Sequence, residues 1–305
     1  MKTKKIEIGS SVYGIDVKNL SQDELKELQD ALYKNRIIVI KGQSLNEQDY
    51  TDFAHKFGFP EAYLQSHYNH PEYPLIFVSS NVKKADGRQL GVARTGGYWH
   101  SDTAFEKEPK VITMLMPKVL PKTSRRTTRF IDMSAVYNAL PTELLEQIEG
   151  ESFIHSGRYR YKIRPEDAGL DIAEMLELID YYQPPVHHPA IIEHPVTGEK
   201  IIYGTRGFTI GISSKDREES HNLLTAIFDF AESPEFVKEV QWEMGDLIIW
   251  DNRFLQHSSG RSKAPTDNIH EAVTKEEETM MYRITMKDAH PLFANIKAAA
   301  QAFAS

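Results

Sequence analysis

The β-branched and apolar runs of this chain are short, and they lack the regular helical spacers that a parallel sheet needs. Residues 37–40, 75–81, 111–119, 129–133, 190–193, 200–203, 237–242, 247–250 and 282–286 each read as a strand. Helical patterns interrupt them. Ser21 to Glu24 forms a capping box ahead of Leu25, Leu28 and Leu32, which predicts a helix over about 21–35. A second helix is expected from Asn46 to Phe57, closed by Gly58. Pro141 and Pro165 sit where a first helical turn accepts proline, so 141–149 and 165–181 read as helical insertions, and a longer helix covers about 214–231. Run 129–133 is expected to neighbour run 111–119 in one sheet. The turn HPVTGE (194–199) links two strands as a hairpin, and the polar segment 262–278 reads as a surface loop. Many short strands with inserted helices favour a mostly β fold with a double-sheet jelly-roll core over a doubly wound parallel sheet. One elaborated domain over 1–305 is expected.

Composition removes several function classes. There is no cysteine, so thiolate catalysis, disulfides, zinc ribbons and iron–sulfur clusters are excluded, and any transition metal must be held by His and carboxylates. Lys plus Arg number 36 against 44 for Asp plus Glu, a formal charge of −8, which opposes a nucleic-acid partner. No apolar run approaches membrane-spanning length, and the expected setting is the cytoplasm. Oligomeric state is left open, homo-oligomers included.

The sharpest chemical signal is Trp99-His100-Ser101-Asp102. In extended chain, residues i and i+2 share a side, so an imidazole and a carboxylate can reach one cation. His257, beyond the buried run 247–250, can supply a third ligand from across a barrel. Two His and one carboxylate leave three octahedral positions open, as in non-haem iron(II) oxygenases. A lone H-x-D pair means little in a chain with 12 His, and the same ligands could serve a zinc hydrolase or a binding module without turnover. His155, His187, His188 and His221 are further imidazoles. The adjacent pair 187–188 would point apart in extended chain and reads as structural or surface. Trp250 and Phe254 read as core, and Asn252 and Arg253 as turn residues behind His257.

The order of WHSDTAF (99–105), RRTTRF (125–130), HPVTGE (194–199), GFT (207–209) and GDLIIWDNRFLQH (245–257) resembles the taurine dioxygenase-like (TauD/TfdA) iron(II)/2-oxoglutarate oxygenases over about residues 5–290. The resemblance implies a jelly-roll core, with His100, Asp102 and His257 as catalytic iron ligands and Fe(II), 2-oxoglutarate and O2 as cofactor and co-substrates. It also implies a small-molecule substrate. Asp102 disfavours the halogenating variants, which lack that carboxylate. Thr127 falls at the family's hydroxyl position for the distal carboxylate of 2-oxoglutarate. The first of two family arginines in the last strand is Thr279 here and only Arg283 remains, so Arg125 is the candidate replacement and Arg283 could serve either carboxylate.

EAY (61–63), IFVSSNV (76–82), FIDM (130–133) and YKIRP (161–165) are similar to the branch that makes isonitriles from N-carboxymethyl-3-amino acids in lipopeptide biosynthesis. That likeness places Tyr63, Tyr68 and Lys162, with Arg283, around a substrate bearing carboxylate groups. Leu64, Thr103 and Arg261 depart from the branch pattern, and the first two remove tyrosine hydroxyls and imply a wider pocket. Arg125 and Lys162 lie in polar runs, where most charges are simply solvated. Hydroxylation or desaturation of a small amino or sulfonic acid is the alternative activity.

Overall fold

The computed structural model describes residues 1–84, 87–88, 90–93, 95–161, 167–259 and 274–292. Its larger sheet holds eight strands, β1 (Lys2–Lys5), β2 (Ser10–Tyr13), β3 (Ile37–Ile40), β4 (Phe59–Glu61), β5 (Phe77–Ser80), β6 (Ile112–Val119), β14 (Leu247–Asp251) and β16 (Met280–Lys287), numbered in chain order. The spatial order is β1-β2-β3-β14-β6-β16-β4, with β5 also on β16, and among the described residues only the β2–β3 strand pair is parallel. The facing sheet is β13-β7-β15, formed by β7 (Thr127–Asp132), β13 (Val237–Gln241) and β15 (Leu255–Ser259). Smaller sheets are β12-β8-β9, from β8 (Ser152–His155), β9 (Val186–Pro189) and β12 (Thr209–Ile212), and the hairpin of β10 (Ile191–Glu193) with β11 (Lys200–Ile202). Strands buried on both faces, such as β3 and β14, are continuous apolar runs for that reason.

The two main sheets meet through aromatic side chains. Trp250 of β14 lies 5.5 Å from Phe130 of β7 and 4.9 Å from His257 of β15, ring centroid to centroid. This is the expected jelly-roll core, with one correction. Run 129–133 does not neighbour run 111–119: β7 pairs with β13 and β15, whereas β6 pairs with β14 and β16. A jelly roll sends successive strands to opposite sheets, so sequence neighbours become facing layers.

Helix α1 (Gln22–Asn35) starts at the expected capping box and buries Leu28 and Leu32. Helix α2 (Glu47–Phe57) is capped by Asn46 and packs Tyr50 beneath the large sheet, where its hydroxyl donates to the Met114 carbonyl at 2.9 Å. Helix α3 (Met133–Ala139) continues directly from β7, and the insertion expected over 141–149 is the single turn α4 (Thr142–Leu145). Helix α5 (Ile172–Tyr182) begins well after Pro165, because Asp171 and Glu174 form a capping box there, while Pro165 lies outside the described residues. Helix α6 (Arg217–Ala231) begins at Asp216. Most of segment 262–278 also lies outside the described residues, and Lys275–Glu277 forms a short 3-10 turn.

Candidate metal centre

His100 and His257 are not opposed across a barrel; they are direct backbone neighbours. Each donates its N–H to the other's carbonyl, at 3.1 and 2.8 Å, as an isolated antiparallel bridge that brings their rings to 4.1 Å. His257 reaches this position because β14 and β15 are joined by the tight turn at Asn252 to Phe254. Gly207 allows the approach from the other side. Its N–H binds the Trp99 carbonyl, and a Cβ there would lie 2.6 Å from the Tyr98 ring and 2.8 Å from the Trp99 oxygen.

Thr103 has φ +56°, a left-handed conformation uncommon for a β-branched residue, and turns the chain immediately after Asp102. Its hydroxyl accepts the Lys110 N–H at 2.8 Å, so it stabilises this turn. The Asp102 carboxylate then faces both imidazoles, with His100 Nε2 at 4.0 Å and His257 Nε2 at 3.8 Å. One donor atom from each residue lies within 4.8 Å of the others, and all three residues are buried. His100 Nδ1 binds the Tyr98 carbonyl at 2.8 Å, which leaves the Nε2 lone pair for a metal. Burial holds His100 below its usual pKa and His257 well below, so both are neutral donors. Burial alone would raise the Asp102 carboxyl, but the Arg283 guanidinium above all, with the Thr113 hydroxyl, holds it down at about 2. Two neutral imidazoles and one permanent carboxylate fit iron(II).

Residues behind the triad fix its geometry. Thr113 donates to Asp102 Oδ2 at 2.7 Å, Asn252 Nδ2 donates to Thr113 at 2.8 Å, and the Trp250 indole donates to Asn252 at 2.9 Å. Asn252 thus orients a metal ligand through Thr113 and does more than hold its turn. Thr113 was not singled out from sequence; the signal for it was its inward register in β6, opposite Trp250. Of the remaining histidines, His187 is exposed and His188 buried, as their adjacency requires. His155 is fully buried, with its Nδ1 3.4 Å from Thr209.

Cationic and hydroxyl groups surround the centre. Arg283, on the inward face of β16, donates from Nη1 to Asp102 Oδ1 at 2.6 Å. Its guanidinium lies over Phe77 at 4.2 Å and near Tyr63 at 5.7 Å. Tyr63 and Tyr68 both set their rings edge-on to Phe77, at 5.1 and 5.9 Å, so both tyrosines pack on the ring that the Arg283 guanidinium covers. Lys162 lies outside the described residues. Arg160, absent from the sequence expectation, stacks on Tyr98 at 4.1 Å and donates to the Gly207 carbonyl, while the Tyr98 ring is 4.8 Å from His100.

Of the expected anchors, Thr127 lies off the His257 face of β7 and Arg125 is exposed. In the β15–β7 register His257 pairs with Phe130 and Ser259 with Thr128, so Thr128 shares the His257 face and Thr127 has the opposite one. Arg125 is exposed, whereas Arg126 is half-buried on the Thr128 side of the alternation, its carbonyl accepting the Trp242 N–H. Thr128 Oγ1 accepts the Trp242 indole N–H at 3.0 Å, which leaves its own O–H free to donate.

The chain is similar in sequence and in fold to known proteins. The chain is 28% identical over 273 residues to the alpha-ketoglutarate-dependent 2,4-dichlorophenoxyacetate dioxygenase of Cupriavidus pinatubonensis, covering 83% of this chain and 88% of that one. It is 27% identical over 257 residues to the alpha-ketoglutarate-dependent sulfate ester dioxygenase of Pseudomonas putida, covering 82% and 80%. Its fold is similar to that of a taurine dioxygenase from Burkholderia xenovorans, with a TM-score of 0.71 at 22% identity over 95% of this chain and 92% of that one. Among the described residues no helix is long and apolar enough to cross a membrane. The family model for the taurine catabolism dioxygenase TauD, TfdA family matches residues 2–272. The chain therefore belongs to that family, and is a non-haem dioxygenase that uses iron(II), 2-oxoglutarate and O2.

Proposed function

We propose that the enzyme oxidises a small carboxylate-bearing amino acid derivative, and that its reaction is oxidative decarboxylation of an N-carboxymethyl-3-amino acid to an isonitrile. The observation that carries this reading is the Arg283 guanidinium beside Asp102, walled by Phe77 and Tyr63, which sets a cation where a substrate carboxylate would lie next to the metal. The two relatives named above act, by their names, on a carboxylate and a sulfate ester, both anions. Bound to the triad, iron(II) couples oxidative decarboxylation of 2-oxoglutarate to attack on a substrate C–H bond.

The protein's own tasks are to grip and to aim. His100, Asp102 and His257 hold the metal. Arg126 and Thr128 hold the distal carboxylate of 2-oxoglutarate, Arg126 standing in for the first family arginine, whose place Thr279 takes. That assignment frees Arg283 for the substrate, with Tyr63 and Tyr68 beside it and Lys162 as a further cation from the branch likeness. The balance is R–NH–CH2–COOH plus two O2 and two 2-oxoglutarate giving R–N≡C, two succinate, three CO2 and two water. Four hydrogens leave the substrate, hence two turnovers.

The test is mass spectrometry of products from N-carboxymethyl amino acids, plain amino acids and sulfonates, with iron, 2-oxoglutarate and oxygen. Isonitrile with two succinates per product supports the reading. A product one oxygen heavier, or two hydrogens lighter, with one succinate assigns hydroxylation or desaturation instead.

A further inference from the structure

Lys110, just before β6, is only 4% exposed, although a lysine is rarely buried unless its charge is paired. Two carboxylates pair it here. One belongs to Glu106, in the turn that follows Asp102, and the other to Glu61 at the end of β4, 3.5 Å away. The second Glu61 oxygen meets Lys287 at the end of β16, at 3.0 Å. An apolar side chain of similar volume would fill such a buried place as well or better. What it would lack is the directed pull on Glu106 and Glu61 that sets where the peptide of residue 110 stands.

Both polar groups of that peptide lead to the metal carboxylate. The Lys110 N–H donates to Thr103 Oγ1 at 2.8 Å, closing the left-handed turn immediately after Asp102. The Lys110 carbonyl accepts Asn252 Nδ2 at 3.2 Å, and the same nitrogen donates at 2.8 Å to Thr113, whose hydroxyl holds Asp102 Oδ2 at 2.7 Å. Glu106 is itself fixed. Its N–H donates to the Thr103 carbonyl at 2.8 Å, and its own carbonyl accepts His188 Nε2 at 2.9 Å. The turn behind Asp102 and the relay onto its carboxylate therefore share one residue.

We infer that Lys110 is a positioning residue for the metal carboxylate. Clamped by Glu106 and Glu61, it holds the peptide that closes the Thr103 turn and receives the Asn252 amide, and so sets the direction in which Asp102 presents its oxygens to the metal. It touches neither metal nor substrate. Through Glu61, which leads into Tyr63, the same clamp joins the metal ligand to the segment carrying the tyrosines.

The test is an anaerobic Co(II) titration of the full chain, followed by calorimetry and by the visible ligand-field band of the bound ion, with denaturant unfolding of the metal-free protein alongside. In Lys110→Met the Co(II) dissociation constant should rise about ten-fold, as for residues that orient a metal ligand, and the band should shift. That variant leaves Glu106 buried without its cation. Combining Lys110→Met with Glu106→Gln removes both charges together, and should show the same loss of affinity and the same band shift with stability near that of the wild type. Glu61→Gln alters the clamp from its exposed side and leaves Lys110 and Lys287 each with another carboxylate. It should raise the constant about three-fold, less than the full loss because Glu106 still holds the ammonium. A wild-type constant and band in the combined variant overturns the inference, and so does a loss of stability with both unchanged, which would make Lys110 structural only. If neither Lys110 variant folds, Glu61→Gln decides: unchanged affinity and band there overturn it.

Discussion

At the scale of single residues, the site depends on which side of a strand a hydroxyl occupies. Thr127 and Thr128 are adjacent, yet only Thr128 shares the face of His257. Thr128→Val is expected to raise the 2-oxoglutarate dissociation constant about 10- to 100-fold, the loss of one hydrogen bond to a buried carboxylate. Thr127→Val should stay within about two-fold, since it touches no charge at the site. Equal effects in a binding titration would cancel the assignment. Thr113 offers a second contrast. Its hydroxyl holds Asp102 at 2.7 Å, so Thr113→Val should weaken metal binding roughly 10- to 100-fold, while Asp102→Ala should abolish stoichiometric iron(II) binding. An iron titration that shows no loss in Thr113→Val would mean that Asp102 is oriented by Arg283 alone. The triad itself was legible from WHSD and the distal QH, because H-x-D in extended chain has one geometry. Which threonine shares the His257 face was not, because a one-residue offset leaves the local sequence looking the same and inverts the face.

At the scale of elements, helices were read best where their caps are local, as at Ser21, Asn46 and Asp216. Helix α5 was placed too early because proline marks a permitted start, whereas the capping box at Asp171 makes one. The β14–β15 hairpin, which carries His257, is locked by a fully buried ion cluster. Arg253 donates to Asp251 and Asp288, each at 2.7 Å, and His194 lies 3.1 Å from Asp251. Arg253→Met should cost about 3–5 kcal/mol, because it leaves two carboxylates buried without their cation. Chemical denaturation measures this. A loss below about 1 kcal/mol would show that the cluster rearranges around the gap.

At the scale of the whole molecule, burial of imidazoles sets an acid limit. Burial lowers His188 to about 4 and His155 well below its usual value, so the unfolded chain binds more protons than the folded one as pH falls through about 6.5. Their stabilisation is complete above that pH and is lost on the way down towards 4. Each histidine contributes a slope of about 1.4 kcal/mol per pH unit in that window. His188→Asn should reduce the slope of unfolding free energy between pH 4.5 and 6.5 by one proton; an unchanged slope would place the acid transition elsewhere. The amino-acid sequence by itself determined the class of fold, through short strands with inserted helices, and the metal ligands, through types and spacings that few other chemistries use. Only the tertiary structure decided that β6 and β7 belong to different sheets, that His100 and His257 are bonded backbone to backbone, and that Arg283 meets Asp102. Those contacts join positions far apart in the chain, and their register is set by long-range strand pairing that no local pattern encodes.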